Sequence, residues 1–363
     1  MGRWKIGSFT AAIGCIIVGV IVVMAQYGVI TYDVLGYIWP ALLILFGLEM
    51  LLRLFIKSDV KSRVSGWAIL LIIVLIAASG AQTVLAGGSL SSIFGNTKLV
   101  PVNGKVEVQQ DIKNVRIDLP QGKVKLQGVD GNTLTYEGKL ELPGNTDNEA
   151  ASALERKWKV TTEGDTLVME LEGDSGWLSN IQIGFNNNAP YLNVGIPQNL
   201  AAQVETSDGS IEAGGLAAGI NVDTSNGTMD IHDVSGGVKA HSSNGTLTVK
   251  NVQGGADLVS SNGAITLGNI DGAVSARSSN GKITVNSAIT GAWELKSSNG
   301  KIVLGLPAVT DAKITADTTN GSLKGNVDWG GGDEDHGTAV LGKGTHEVTL
   351  STSNGSITVD MAQ

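Results

Sequence analysis

Thr224-Ser225-Asn226-Gly227, Ser242-Ser243-Asn244-Gly245, Ser260-Ser261-Asn262-Gly263 and Ser278-Ser279-Asn280-Gly281 are one tetrad written four times, 18 residues apart. The tetrad returns with Gly at 300, 321 and 355, and it starts one period earlier as Thr206-Ser207-Asp208-Gly209. After each tetrad Ile211, Met229, Leu247, Ile265, Ile283 and Ile302 form an apolar column. Two residues on, Ala213, Ile231, Val249, Leu267, Val285 and Leu304 form another. A period of two means a strand with one face inward. A second strand runs up to each tetrad, with Val222, Ala240, Leu258, Ala276, Leu295 and Ala316 in register. Gly214-Gly215, Gly236-Gly237 and Gly254-Gly255 mark the expected second corner of each repeat.

Two short strands and two corners in 18 residues cannot close a core alone, but stacked copies share one interior. The economical architecture is a β-solenoid, resembling a parallel β-helix. A meander of Asn-Gly hairpins is the rival, because Asn-Gly is also a strong hairpin turn. In a solenoid Asn226, Asn244, Asn262, Asn280, Asn299 and Asn320 stack at about 4.8 Å per coil, each amide able to bond the next. This column reads as a structural ladder, and the glycine after each Asn is expected to take positive φ.

Working outward, residues 99–200 alternate like strands but lose the period, and read as an irregular β cap before the solenoid of 201–363. Ala150 to Lys159 is the one helix-like stretch there. Residues 87–98 read as a linker. Before it the composition changes: residues 1–86 are dense in Ile, Leu, Val and Ala. Apolar runs at about 6–30, 37–56 and 66–86 each reach the roughly 20 residues that span a bilayer, and predict three transmembrane helices. Lys and Arg cluster at Arg3, Lys5, Arg53, Lys57, Lys61 and Arg63, so the positive-inside rule puts the N-terminus in the cytoplasm and the β domain outside. Val23-Met24-Ala25 and Ala12-Ile13-Gly14-Cys15 loosely resemble processing sites, but the apolar run continues through both.

Up to Ala86 there are six Lys/Arg against three Asp/Glu, and beyond it 19 against 31. The acidic outer part argues against nucleic acid, and against direct binding to an anionic membrane or wall polymer unless cations bridge the two. Cys15 is the lone cysteine, so no intramolecular disulfide supports the fold. Enzymes built on β-helices need clustered carboxylates on one face, and His232, His241, Asp230, Asp233, Asp257 and Asp271 form no single column in the repeat, so no catalytic residue and no cofactor are expected. Asp333, Glu334 and Asp335, in a glycine-rich insertion, are weak candidates for a divalent metal. Glu49 and Arg53, four apart near the cytoplasmic end of the second helix, are candidates for a membrane-partner contact.

The repeated tetrads, Leu192-Asn193-Val194-Gly195-Ile196-Pro197 and the closing VTLSTSNGSITVD of 348–360 resemble the bacterial adhesin-like family of β-strand repeats that includes LiaG-type proteins. Residues 13–23 and 38–53, IGCIIVGVIVV and IWPALLILFGLEMLLR, are similar to the transmembrane region of LiaI/LiaF-type envelope-stress proteins. The resemblance implies a non-enzymatic cell-envelope protein in a bacterial membrane, acting as sensor or scaffold beside a membrane sensor kinase or another envelope protein. The alternative is a surface-binding, adhesin-like module for which cell-wall polymer is a partner.

Overall fold

The computed structural model describes residues 97–173, 189–331 and 333–362. The three expected helices, the processing sites, and Glu49 and Arg53 lie outside the described residues. Among the described residues no helix is long and apolar enough to cross a membrane.

β1 (Thr97–Glu107), β2 (Asn114–Gln121), β3 (Lys123–Val129) and β4 (Thr133–Pro143) come first. Helix α1 (Asp147–Lys157) leads to β5 (Trp158–Glu163), β6 (Thr166–Leu171) and β7 (Tyr191–Pro197). The repeats follow as β8 (Ala201–Asp208), β9 (Ile211–Leu216), β10 (Ile220–Asn226), β11 (Met229–Val234), β12 (Val238–Ser242), β13 (Leu247–Val252), β14 (Ala256–Ser260) and β15 (Ile265–Ile270). They continue as β16 (Val274–Ser278), β17 (Ile283–Asn286), β18 (Trp293–Ser297), β19 (Ile302–Leu306), β20 (Ala312–Thr318) and β21 (Leu323–Gly325). β22 (His336–Leu341), β23 (His346–Thr352) and β24 (Ile357–Met361) close the chain.

Even-numbered strands from β8 to β20 stack in one sheet, and odd-numbered strands from β9 to β21 stack in the other, each sheet having 12 strands among the described residues. The strand before a tetrad pairs in parallel with the strand before the next tetrad: Val222 lies beside Ala240, Ala240 beside Leu258 and Leu258 beside Ala276. Across a tetrad, β8 does not pair with β9, nor β10 with β11, so the hairpin meander is excluded and the domain is a mostly β, solenoid-like stack of parallel rungs. Inward residues of both sheets share one core, with Val222, Leu258, Leu267, Ile283 and Leu304 completely or almost completely buried.

The rungs do not follow chain order at either end. β6 and β7 flank β2 and β3, which in turn flank β8 and β9, so residues 99–200 lose the 18-residue period but keep the rung geometry. Antiparallel pairs β1–β4, β4–β7 and β5–β6 finish this end, with α1 packed beside β1 and β4. At the other end β23 lies between β18 and β20, and β24 between β19 and β21. The last rung in sequence is thus the penultimate rung in space. Asn326 fastens it, its amide donating to the Met361 carbonyl at 2.8 Å while its side-chain oxygen accepts from Met361 N–H.

Three local expectations are corrected. The helix runs Asp147–Lys157, because Thr146 caps it by accepting from Glu149 N–H at 3.3 Å, and Glu149 reaches back to Asn145 N–H at 2.8 Å. Trp158 and Lys159 already belong to β5. Gly214-Gly215 is not a corner but lies inside β9, where Gly215 makes a left-handed kink with φ of 69°; the corner is Ala217–Gly219. The tetrad glycines do not take positive φ. They are glycine because a Cβ at Gly227, Gly245, Gly263, Gly281 or Gly300 would overlap the carbonyl oxygen of the tetrad glycine in the rung before it.

Candidate functional site

Each position of the tetrad has its own task. The first side chain points inward, and its buried hydroxyl accepts from the backbone N–H of the glycine three residues on: Ser242 from Gly245 and Ser260 from Gly263 at 2.9 Å, Ser278 from Gly281 and Ser297 from Gly300 at 2.8 Å. That bond closes the corner locally. Thr206 and Thr224, which open the first two tetrads, are buried without such a partner.

The third position forms a continuous exposed ladder. Asn226 donates to Asp208, Asn244 to Asn226, Asn262 to Asn244, Asn280 to Asn262 and Asn299 to Asn280, all at 2.7–2.8 Å. Asn354 follows Asn299, and Asn320 comes last by donating to Asn354. All the amides point the same way, so their N–H ends run toward the Asp208 carboxylate. The side-chain bonds are used along the stack, which leaves the ladder little capacity to coordinate a ligand.

A second ladder escaped the sequence reading. Asn251 donates to Asp233 at 2.8 Å and Asn269 to Asn251 at 3.0 Å, and all three residues have positive φ, between 53° and 56°. They occupy the left-handed kink that Gly215 fills one rung earlier. Asn and Asp tolerate this left-handed conformation better than other side chains. The 18-residue spacing of 233, 251 and 269 was the available signal.

Chemistry-bearing side chains concentrate on the outer face of the even-strand sheet. Glu170, Asp118, Glu205 and Asp223 lie directly opposite one another on β6, β2, β8 and β10, with His241 next on β12. Burial, helped by the Glu205 and Glu170 carboxylates and opposed by Arg116, pushes the Asp118 carboxyl above its ordinary value. Burial likewise raises Asp223, against the pull of His241 and with a push from Glu205. A shallow hollow of about 240 Å³ lies among Asp118, Glu205, Asp223 and His241. Glu205, Asp223 and His241 share the 18-residue spacing, but Glu170 and Asp118 precede the periodic region and join the column only through the out-of-order rungs. On the other sheet Glu212 is held at about 2 by hydrogen bonds from Lys123 and Lys125.

A longer trough, about 1050 Å³, follows the second corners along the even-strand sheet, lined by Gly219, Gly237, Gly255, Ala273 and Ala292 with Lys239 and Glu294 beside them. Its smoothness has a packing cause: a Cβ at Gly219 would press on the Gly237 carbonyl, and one at Gly255 on that of Ala273. The acidic insertion contributes through its backbone, the Asp335 carbonyl accepting from Thr318 N–H and that of Glu334 from Leu323 N–H, both at 2.8 Å. Asp333, Glu334 and Asp335 are exposed, and no group of His, Cys, Asp and Glu able to hold a metal occurs among the described residues.

Residues 145–360, more than half of the chain, match the family described as Toastrack DUF4097. The chain belongs to this Toastrack family. Residues 9–51 match the LiaI-LiaF-like transmembrane region, which indicates membrane anchoring of a chain whose Toastrack domain is extracytoplasmic. No curated protein matches. Among solved structures, one from Bacteroides fragilis provisionally named an adhesin is 16% identical, over 72% of this chain and 97% of its own, with a TM-score of 0.42. A Clostridium sporogenes protein provisionally named for cell adhesion is 14% identical, over 73% and 100%, at 0.26. A Parabacteroides distasonis protein provisionally named for lipid binding is 13% identical, over 72% and 97%, at 0.32. None of these three bears on what this Toastrack protein binds.

Proposed function

We propose that the protein is a non-enzymatic envelope component in which three transmembrane helices, at about 6–30, 37–56 and 66–86, couple an outer Toastrack solenoid to a membrane partner such as a sensor kinase in envelope-stress signalling. In this reading the N-terminus is cytoplasmic, the linker expected over residues 87–98 ends before β1, which already takes Thr97 and Lys98, and Glu49 and Arg53 touch the partner. The observation that carries it is the joining, in one chain, of a Toastrack domain to a LiaI-LiaF-like transmembrane region. One helix is enough for an anchor, so a larger hydrophobic segment suits a coupling role. Glu49→Ala together with Arg53→Ala weakens induction of the stress response several-fold while insertion is unchanged. An intact response in that variant contradicts the coupling.

The trough beside the second corners favours a second reading, a surface-binding module for an extended polymer such as cell-wall glycan. It predicts wall retention that survives replacement of the helices and disappears with the solenoid.

A further inference from the structure

Seven tetrads carry the dipeptide Asn-Gly, at Asn226, Asn244, Asn262, Asn280, Asn299, Asn320 and Asn354. This dipeptide is chemically fragile, because glycine has no side chain to hinder attack by its own backbone nitrogen on the Cγ of the asparagine before it. A bond forms between that nitrogen and Cγ, the Cγ–Nδ2 bond breaks, and the amide leaves as ammonia with the proton of the glycine N–H. Water then opens the five-membered imide to aspartate or isoaspartate. The reaction needs a glycine nitrogen that is free to move and within reach of solvent.

The structure sorts the seven pairs into two sets. Where the tetrad opens with serine, the hydroxyl of Ser242, Ser260, Ser278 or Ser297 holds the N–H of Gly245, Gly263, Gly281 or Gly300 at 2.8–2.9 Å, and all four glycines are buried. Where it opens with threonine, no hydrogen bond among the described residues holds the N–H of Gly227, Gly321 or Gly355. These three glycines are half-buried or exposed. Thr224 Oγ1 is buried without a partner, and the hydroxyls of Thr318 and Thr352 turn to the carbonyls of Gly355 and Gly300. Threonine differs from serine by one methyl, which restricts χ1.

The two sets also differ in place. The four held pairs are consecutive in the Asn ladder, whereas the free ones stand at its ends, Asn226 beside Asp208 and Asn354 with Asn320 at the other. Asn320 is the least restrained, since it donates to Asn354, accepts from no side chain among the described residues, and precedes the exposed Gly321. We propose that Asn226, Asn320 and Asn354 deamidate spontaneously in the folded protein, and that the serine-opened corners protect the four asparagines between them. Conversion sets a carboxylate in the ladder. At position 226 it replaces the donor to Asp208 and opposes a like charge; at 320 and 354 it removes the donors to Asn354 and Asn299. The ladder then loses bonds at both ends and gains negative charge, while its middle stays intact. This modification does not depend on the functional reading above.

The test is peptide mapping by mass spectrometry of the full-length protein, incubated folded in its membrane in mildly alkaline buffer, with isoaspartate read separately from aspartate. Asn320, Asn354 and Asn226 are expected to convert about ten-fold faster than Asn244, Asn262, Asn280 and Asn299, the weight of one hydrogen bond on a rate. The chain unfolded in denaturant is expected to convert all seven at similar rates. Thr224→Ser, a small change in a buried corner, is expected to slow conversion at Asn226, and Ser260→Ala to speed it at Asn262. Similar conversion of all seven in the folded protein overturns the proposal. So does an absence of conversion at the three threonine-opened pairs while the unfolded chain reacts, or a folded Thr224→Ser variant that converts Asn226 at the original rate.

Discussion

Gly245 meets the backbone of its neighbour so closely that a single methyl decides whether the rungs can approach. Gly245→Ala pushes a Cβ into the Gly227 carbonyl, and overpacking of this kind costs about 1–3 kcal/mol. Thermal unfolding of the variant therefore shows a clear drop in midpoint, whereas Gly331→Ala, where a Cβ meets nothing but φ is 69°, shows a smaller one. Asn262→Ala removes two ladder bonds, from Asn262 to Asn244 and from Asn280 to Asn262, a loss of about 1–2 kcal/mol at an exposed edge. Asp118 responds to pH in the unusual direction for a carboxylate. Its value is raised in the folded state, so the folded chain binds the proton more tightly than the unfolded chain does. Stability contributed by this group rises as pH falls through the raised value toward about 4, the ordinary aspartate range, and is lowest above that window. Asp118→Asn is accordingly expected to raise the unfolding midpoint at pH 7, with the gain shrinking toward pH 4. A gain that grows on acidification contradicts the assignment. Glu212, lowered to about 2, acts the other way, with its contribution present above its ordinary value and lost as pH falls through about 2.

At the scale of elements, the parallel rungs were legible because the chain repeats both apolar columns and both turn types at a fixed spacing. The Asn ladder could be drawn residue by residue for the same reason, except that Asn354 stands between Asn299 and Asn320. The period carries no information about which rung lies beside which once an insertion intervenes, so the displaced C-terminal rung was invisible. The same limit hid the acidic column, since Glu170 and Asp118 come from segments with no repeat to align. A capping box at Thr146 to Glu149 was present in the sequence and would have fixed the helix start. The displaced rung makes a prediction of its own. In a stack where each rung contacts only its neighbours, loss is local. Deleting residues 346–363 removes the partner of both β18 and β20 and of both β19 and β21, so hydrogen exchange is expected to rise sharply over 293–341 and to stay unchanged over 220–270. A uniform rise across the domain contradicts this nearest-neighbour account.

For the whole molecule, the proposed coupling requires the hydrophobic segment to do more than hold the Toastrack domain at the membrane. Orientation is the first requirement. In a Cys15→Ser background an impermeant thiol reagent added outside intact cells is expected to label Asp333→Cys and not Lys5→Cys. The decisive measurement is in-membrane crosslinking of the full-length protein, with identification of what co-purifies, beside a version whose residues 1–86 are replaced by one unrelated anchoring helix. A signalling protein, such as a sensor kinase, is expected to be recovered with the native segment and lost with the substitute. Recovery of only wall polymer or matrix proteins, equally with both versions, contradicts the coupling and makes the protein a surface-binding module.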